Sequence, residues 1–161
     1  MPTARRSRTI AAPMQGLWEL LCDPHHLPRW WPRVTRVEDV TLTGTGEADA
    51  FTEVMRTRKG KLVRADFDVR CDEARHMVTW VQRIEGTPFA SVLKAAATEL
   101  QLAPAGSQTE VTIELRQEMA IGSARHSPFM SLAPRFGGPL VRRAAAATLE
   151  QALDGLERIS V

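Results

Sequence analysis

The chain has 161 residues, 43% apolar and 25% charged, with a formal net charge of +2. Those fractions are ordinary for a globular protein and exclude a disordered tail, a collagenous repeat and a disulfide miniprotein. A fold of ~150 residues buries roughly 70% of its extended surface, so residues 1–161 are expected to form a single domain.

The N-terminus is basic: residues 1–36 carry six Arg against Glu19 and Asp23. Residues 37–115 reverse the sign, with thirteen acidic and nine basic side chains. Neither excess is dense enough for a nucleic-acid domain. No apolar stretch of signal-peptide length follows the basic start, and no segment approaches the ~20 apolar residues of a membrane span. A first strand is predicted over residues 4–12, ending in Ile10-Ala11-Ala12. Pro13 suits the first position of a helix, where its missing N–H is harmless. Met14, Leu17, Trp18 and Leu21 recur at helical spacing and predict a short amphipathic helix over about residues 13–22. Asp23-Pro24 then supplies an N-cap and first helical residue for a second short helix, which Pro32 ends near Trp31. His25 and His26 are adjacent, point in different directions and lack a third ligand, so no metal site is expected.

Period-two patterning dominates the next stretch. Val34 to Leu42 predicts a strand of undetermined face, and Thr43-Gly44-Thr45-Gly46 a turn. Phe51, Glu53 and Met55 share one face of the following strand, and Lys59-Gly60 marks a hairpin. Val63, Ala65, Phe67, Val69 and Cys71 alternate with Arg64, Asp66, Asp68 and Arg70, the pattern of a sheet with one buried and one wet face. The charged set is expected to form an outer ladder of weak pairs. Val78, Trp80 and Ile84 share a face with polar Gln82 among them. Ala96, Thr98, Leu100 and Leu102 do the same within residues 91–102. After the loop Pro104-Ala105-Gly106-Ser107 come Val111, Ile113, Leu115, Gln117 and Met119. Consecutive strands at hairpin spacing make an antiparallel meander. Cys22 and Cys71 have no metal-ligand spacing, so free buried thiols in a reducing cytoplasm are expected.

Between residues 120 and 138, Gly122, Pro128, Pro134 and Gly137-Gly138 interrupt every periodicity except a helical pattern around Phe129 to Leu132. Ser123, His126 and Ser127 have no acid placed to orient the histidine, so no nucleophile is assigned there. From Pro139 a helix is predicted to reach Ile159. Val141, Ala145, Leu149, Ala152, Leu156 and Ile159 lie on one face; Arg142, Glu150, Asp154 and Glu157 look outward. Gly155 inside it costs about 1 kcal/mol relative to Ala, which implies close packing against a neighbour. The fold class is therefore α+β: a curved antiparallel sheet of about seven strands, in β-α-α-β6-α order, wrapped around a long C-terminal helix. A helix of ~10–12 Å diameter cannot fill such a sheet. Alanines fall on the face where the two meet, and aromatic residues make up only 6% of the chain with no Tyr. The expected result is a cavity between helix and sheet.

This order, with Ile10-Ala11-Ala12-Pro13 before the first helix, resembles the START/SRPBCC superfamily over about residues 4–159. The most specific part is Asp23-Pro24-His25-His26-Leu27-Pro28-Arg29-Trp30-Trp31-Pro32; Thr109-Glu110-Val111-Thr112, after a Gly-containing hairpin, is similar to the family's penultimate-hairpin ending. This is the helix-grip fold of birch-pollen-allergen-like (Bet v 1-like) proteins and of the bacterial polyketide cyclase/dehydrase and lipid-transport branch. The resemblance implies a deep apolar pocket for lipids, sterols, polyketides or other hydrophobic molecules, and no single reaction. The leading expectation is a cytoplasmic protein binding a hydrophobic small molecule. One alternative is a polyketide aromatase/cyclase-like enzyme with an in-pocket acid–base group. Such relatives commonly place Tyr or Arg in the pocket, and the absent Tyr counts against it. The other alternative is a protein-interaction module of the coenzyme-Q-binding and ribosome-association type, supported only by the basic first 36 residues.

The candidate ligand-binding residues on strands are Phe51, Glu53, Met55, Phe67, Trp80, Gln82, Thr98, Leu100, Ile113 and Gln117. Outside the sheet they are Trp30, Trp31, Phe129, Val141, Ala145 and Leu149. Trp30 and Trp31 divide evenly between pocket mouth and core. Glu53 is the one candidate acid or base. Facing inward it would have a raised pKa and meet a ligand hydroxyl; a strand bulge, or pairing with Lys94 or an Arg, would make it structural. Gln82, Thr98 and Gln117 serve either to orient a ligand by hydrogen bonds or as edge-of-core positions. No metal, cofactor, nucleic acid or membrane span is expected.

Overall fold

Strand β1 (Thr3–Ile10) leads into helix α1 (Met14–Cys22), a 3₁₀ turn (Pro24–His26) and the one-turn helix α2 (Leu27–Trp30). Strands β2 (Val34–Leu42), β3 (Ala48–Arg56), β4 (Leu62–Asp72), β5 (Met77–Arg83), β6 (Leu93–Ala105) and β7 (Gln108–Met119) follow, then helix α3 (Gly138–Ser160). The computed structural model describes residues 3–120 and 138–160, with side chains from Arg142 onward in the second stretch. All seven strands pair antiparallel in the order β1-β7-β6-β5-β4-β3-β2. Strand β1 therefore crosses to the far edge, and the other six form the meander expected from the hairpin spacing.

Local chemistry explains most boundaries. Gly60 (φ +80) and Gly106 (φ +65) allow the left-handed turns that end β3 and β6. Asp23 caps as its position suggests, its Oδ1 accepting from the His25 N–H at 3.0 Å. The second helix is split, however, into the 3₁₀ turn and α2, and Trp31 is already extended (φ −83, ψ 130) ahead of Pro32. Pro13 also differs from expectation. It is extended (ψ 147), and its carbonyl accepts from the Leu17 N–H at 3.3 Å, so it precedes the first helical residue. Strand β6 runs to Ala105 and takes in Pro104, which pairs with Thr109, so the expected four-residue loop contracts to a tight turn. Strand β2 carries register shifts on both sides of Thr41 and a left-handed Asp39 (φ +51), which erases the period-two signal in its sequence.

The concave face buries Ala65, Phe67, Val78, Trp80, Leu100 and Ile113. The opposite face carries the charged ladder: Arg64 bonds Glu38 and Asp39, and Asp68 pairs with Arg83. Exposed pairs of this kind contribute about 0–1 kcal/mol each. Helix α3 lies against β1, β7 and α2, with Leu149, Ala152, Leu153 and Leu156 fully buried. From β1, Arg8 reaches Asp154 at 2.6 Å and Glu150 at 2.9 Å, and Arg6 reaches Glu150 at 3.2 Å. The buried Thr109 hydroxyl donates to the Ala12 carbonyl at 2.9 Å and ties the β1–α1 corner to β7. Cys22 and Cys71 are free and half-buried.

The neighbour that Gly155 requires is α2. A Cβ on Gly155 would lie 2.8 Å from the Trp30 Cα and closer still to the Trp30 carbonyl oxygen. Beside it, Arg158 Nη2 donates to the Arg29 carbonyl at 3.1 Å. Gly155→Ala gains about 1 kcal/mol of helix propensity but forces two backbones apart. A net loss of about 1–3 kcal/mol is expected from overpacking. Denaturant unfolding measures it, and an unchanged or raised midpoint would contradict the contact.

Candidate functional site

Where α3 presents Ala144, Ala145 and Ala147 to the sheet in place of leucines, a cavity of about 370 Å³ opens. That volume suits a small organic ligand. One wall is aromatic. Trp31 meets Trp80 edge-on with ring centroids 5.2 Å apart, and Phe67 stacks on Phe51 at 5.2 Å. Phe51 in turn meets Trp80 edge-on at 5.9 Å. Offset and edge-to-face pairs fix ring orientation, so this wall is preformed. Phe89, Val92, Leu93, Leu115 and Met119 supply further apolar lining.

Glu53 faces inward. The β3–β4 ladder runs without a register shift through Glu53 and Ala65, so there is no bulge there. The side chain is 4% exposed and lines the cavity. The pairing with Lys94 does not occur: Lys94 is exposed on the outer side and lies 3.4 Å from Glu118. Glu53 has no hydrogen bond or ion pair among the described residues. Burial alone pushes its carboxyl from the ordinary 4.5 up to about 8, so at neutral pH it is an uncharged O–H donor. Gln82 is the second such group: its Nε2 is buried without a partner among the described residues, on the same cavity wall. Thr98, opposite Trp80 and Leu115, and Gln117, opposite Ala96, add two more polar groups. The chemistry available is hydrogen bonding to a ligand oxygen at fixed points on an otherwise apolar surface.

Trp31, Glu53, Met55, Phe67, Trp80, Gln82, Thr98, Gln117 and Ala145 all line this cavity. The other described candidates do not. Trp30, Phe51, Leu100, Ile113 and Leu149 are at most 3% exposed and belong to the packed core. Periodicity identifies an inward face but not how far the opposing element stands from it. The tryptophan pair is thereby divided, Trp30 to the core and Trp31 to the wall. Phe129 and the Val141 side chain lie outside the described residues.

Several lining residues were not expected. Ala144, Ala147, Thr148 and Gln151 form a second stripe on α3 at helical spacing, a legible signal beside the leucine stripe. Arg58 belongs to Arg56-Thr57-Arg58-Lys59-Gly60-Lys61, whose four cations in six residues stand out once the Lys59-Gly60 turn is set aside. Arg33 follows Pro32 and has φ +68, for which the sequence carries no signal.

Glu53 makes stability pH-dependent. Its folded pKa lies above its ordinary value, so the folded state holds the extra proton between about 4.5 and about 8. Stability is therefore full below that window and falls as pH rises through it, by about 1.4 kcal/mol per unit. Arg33 and Arg58 are the only other charged residues of the described lining, and both are exposed. Glu53→Gln is expected to flatten the slope of unfolding free energy between pH 5 and 8. Equal slopes in variant and parent would refute the assignment.

No helix among the described residues is long and apolar enough to cross a membrane. No curated protein matches the chain. A family model described as polyketide cyclase/dehydrase and lipid transport matches residues 1–160. Among solved structures, a START superfamily protein from Mycobacterium smegmatis is similar with a TM-score of 0.77 and 15% identity, over 99% of this chain and 97% of that one. A protein from Thermus thermophilus is similar at 0.71 and 23% identity, covering 98% and 95%. The di-domain ARO/CYC BexL of the BE-7585A biosynthetic pathway is similar at 0.71 and 16% identity, over 98% of this chain and 46% of that one. At such identities the likeness is one of fold.

Proposed function

The chain belongs to the polyketide cyclase/dehydrase and lipid-transport family, of the START/SRPBCC kind, and from that premise we propose that it binds a hydrophobic small molecule between α3 and the curved sheet. The carrying observation is the cavity of about 370 Å³ with aromatic and aliphatic walls. Apolar walls facing a void forfeit dispersion contacts. A ligand's apolar body restores them, and each buried CH₂ contributes about 0.8 kcal/mol. Trp31, Met55, Phe67 and Trp80 would contact that body, while Gln82, Thr98 and Gln117 would orient it. The free thiols of Cys22 and Cys71 fit a reducing, cytoplasmic setting.

A second reading rests on Glu53. An uncharged carboxyl with no protein partner among the described residues, facing an apolar cavity, is arranged to donate a proton to a carbonyl oxygen as general acid. That would suit an aromatase/cyclase-like reaction. Of the six arginines behind the interaction-module reading, Arg6 and Arg8 are engaged with α3 and Arg36 with Glu38, and no specific observation favours that reading.

Ala145→Phe should fill the cavity from the helix side. Its affinity for a neutral hydrophobic dye is expected to fall about tenfold or more, since a ring replaces the space the ligand needs. Fluorescence titration reads this, and native mass spectrometry should find a retained ligand in the parent and not in the variant. Absence of any retained ligand and of any dye binding would sink the binding reading. For the enzymatic reading, Glu53→Gln should keep binding within about threefold, as expected when one neutral hydrogen-bonding group replaces another, while abolishing turnover. Turnover that persists would remove Glu53 as the acid.

A further inference from the structure

We propose that the ligand of this cavity carries an anionic oxyacid terminus, a carboxylate or a phosphate, held at the rim by Arg33 and Arg58 while the apolar body lies inside. This rests on the hydrophobic-ligand reading above and adds the ligand's charge and direction.

The described lining has three ionisable residues, and burial divides them. Glu53 is enclosed; Arg33 and Arg58 are exposed. Exposed residues that also line a cavity mark where it meets solvent. Ala144, Ala147 and Gln151 of α3 are exposed lining residues too. The opening therefore lies between α3, the α2–β2 junction and the β3–β4 hairpin. Among the described residues of that opening there are two cations and no acid.

Neither guanidinium is engaged by the protein among the described residues. Arg6, Arg8, Arg36, Arg64 and Arg83 all have carboxylate partners; the side chains of Arg33 and Arg58 have no hydrogen bond or ion pair among the described residues. Their backbones are nonetheless held. The Arg33 carbonyl accepts from the Arg56 N–H at 2.9 Å, and the hairpin closes through Thr57 N–H to the Lys61 carbonyl at 2.8 Å. That tie couples the two arginine-bearing segments. Arg33 also occupies a left-handed backbone that favours glycine, so the cation is kept where a smaller residue would sit more easily. Arg56, Lys59 and Lys61 raise the positive potential around the same opening.

Direction follows from desolvation. An anion placed at the floor would lose its water beside Glu53, which is enclosed and has no ion pair among the described residues. At the rim it keeps part of its hydration and meets planar donors suited to oxyacids. A cationic terminus would be repelled there.

Displacement of the neutral dye Nile red from the full chain by decanoate, decyl phosphate and decanol near neutral pH tests this. Decanoate, decyl phosphate or both should bind about tenfold or more tighter than decanol, as charge-assisted hydrogen bonds predict. Whichever anion does so identifies the terminus. The Arg33→Gly/Arg58→Ala double variant should cut that advantage below about threefold and leave decanol unchanged, because only the charge contacts are lost. Arg33→Gly relieves the left-handed backbone, so misfolding does not explain a loss. Lys59→Ala/Lys61→Ala, on the same hairpin but outside the lining, should keep most of the advantage. Equal affinities for all three compounds, or an advantage that survives the double arginine variant, would overturn the proposal and leave hydrophobic binding standing. If neither dye nor competitor binds, hydrophobic binding falls as well.

Discussion

The contact on which the rest depends is backbone against backbone: Gly155 of α3 resting on Trp30 at the end of α2. No side chain separates the two elements there, so the position of α2 and the seat of α3 are one constraint. It sets both tryptophans. Trp30, at the contact, is held in the core, its ring centroid 6.1 Å from that of Trp80. Trp31, one residue on and already extended, turns into the cavity against the same ring.

From that seat the composition of α3 decides what lies beneath it. Its later turns carry Leu149, Leu153 and Leu156, which close the space to the sheet. Its earlier turns carry alanines, which do not, and the cavity occupies the difference. One helix is thus both a core element and the roof of a pocket. The clamp of Arg6 and Arg8 on Glu150 and Asp154 falls beside the packed half, leaving the alanine half to face the cavity without that support.

The floor departs from ordinary core chemistry. Buried polar groups in proteins nearly always find partners, yet the Glu53 carboxyl and the Gln82 amide nitrogen have none among the described residues. Each lowers stability unless something enters the cavity to meet it. Local rules broken in this way concentrate at functional sites. Both groups line the same space, which links their cost to the cavity; the Trp30 indole nitrogen, in the packed core, is also buried without a partner among the described residues.

Much of this was legible in the residues. Alternation in β4 fixed which face is wet, since its period is set by the pleat alone. Gly155 announced a close contact because glycine inside a helix needs a reason. Strand β2 was legible over Val34–Leu42 but its face was not, because bulges break the period on which that reading relies. The inward position of Glu53 was half-legible: Phe51 and Met55 showed its face, but only the unbroken ladder and the distant Lys94 removed its alternatives. Leu100, Ile113 and Leu149 share faces with lining residues yet lie in closed core. Periodicity and composition carry the order of elements, the buried faces and the shortage of bulk where helix meets sheet. Those properties are local, set by backbone periods and side-chain size. The tertiary structure alone decided where that shortage becomes space, which tryptophan sees it and which arginines border it. Those depend on the distance between elements far apart in the chain, which no local pattern encodes.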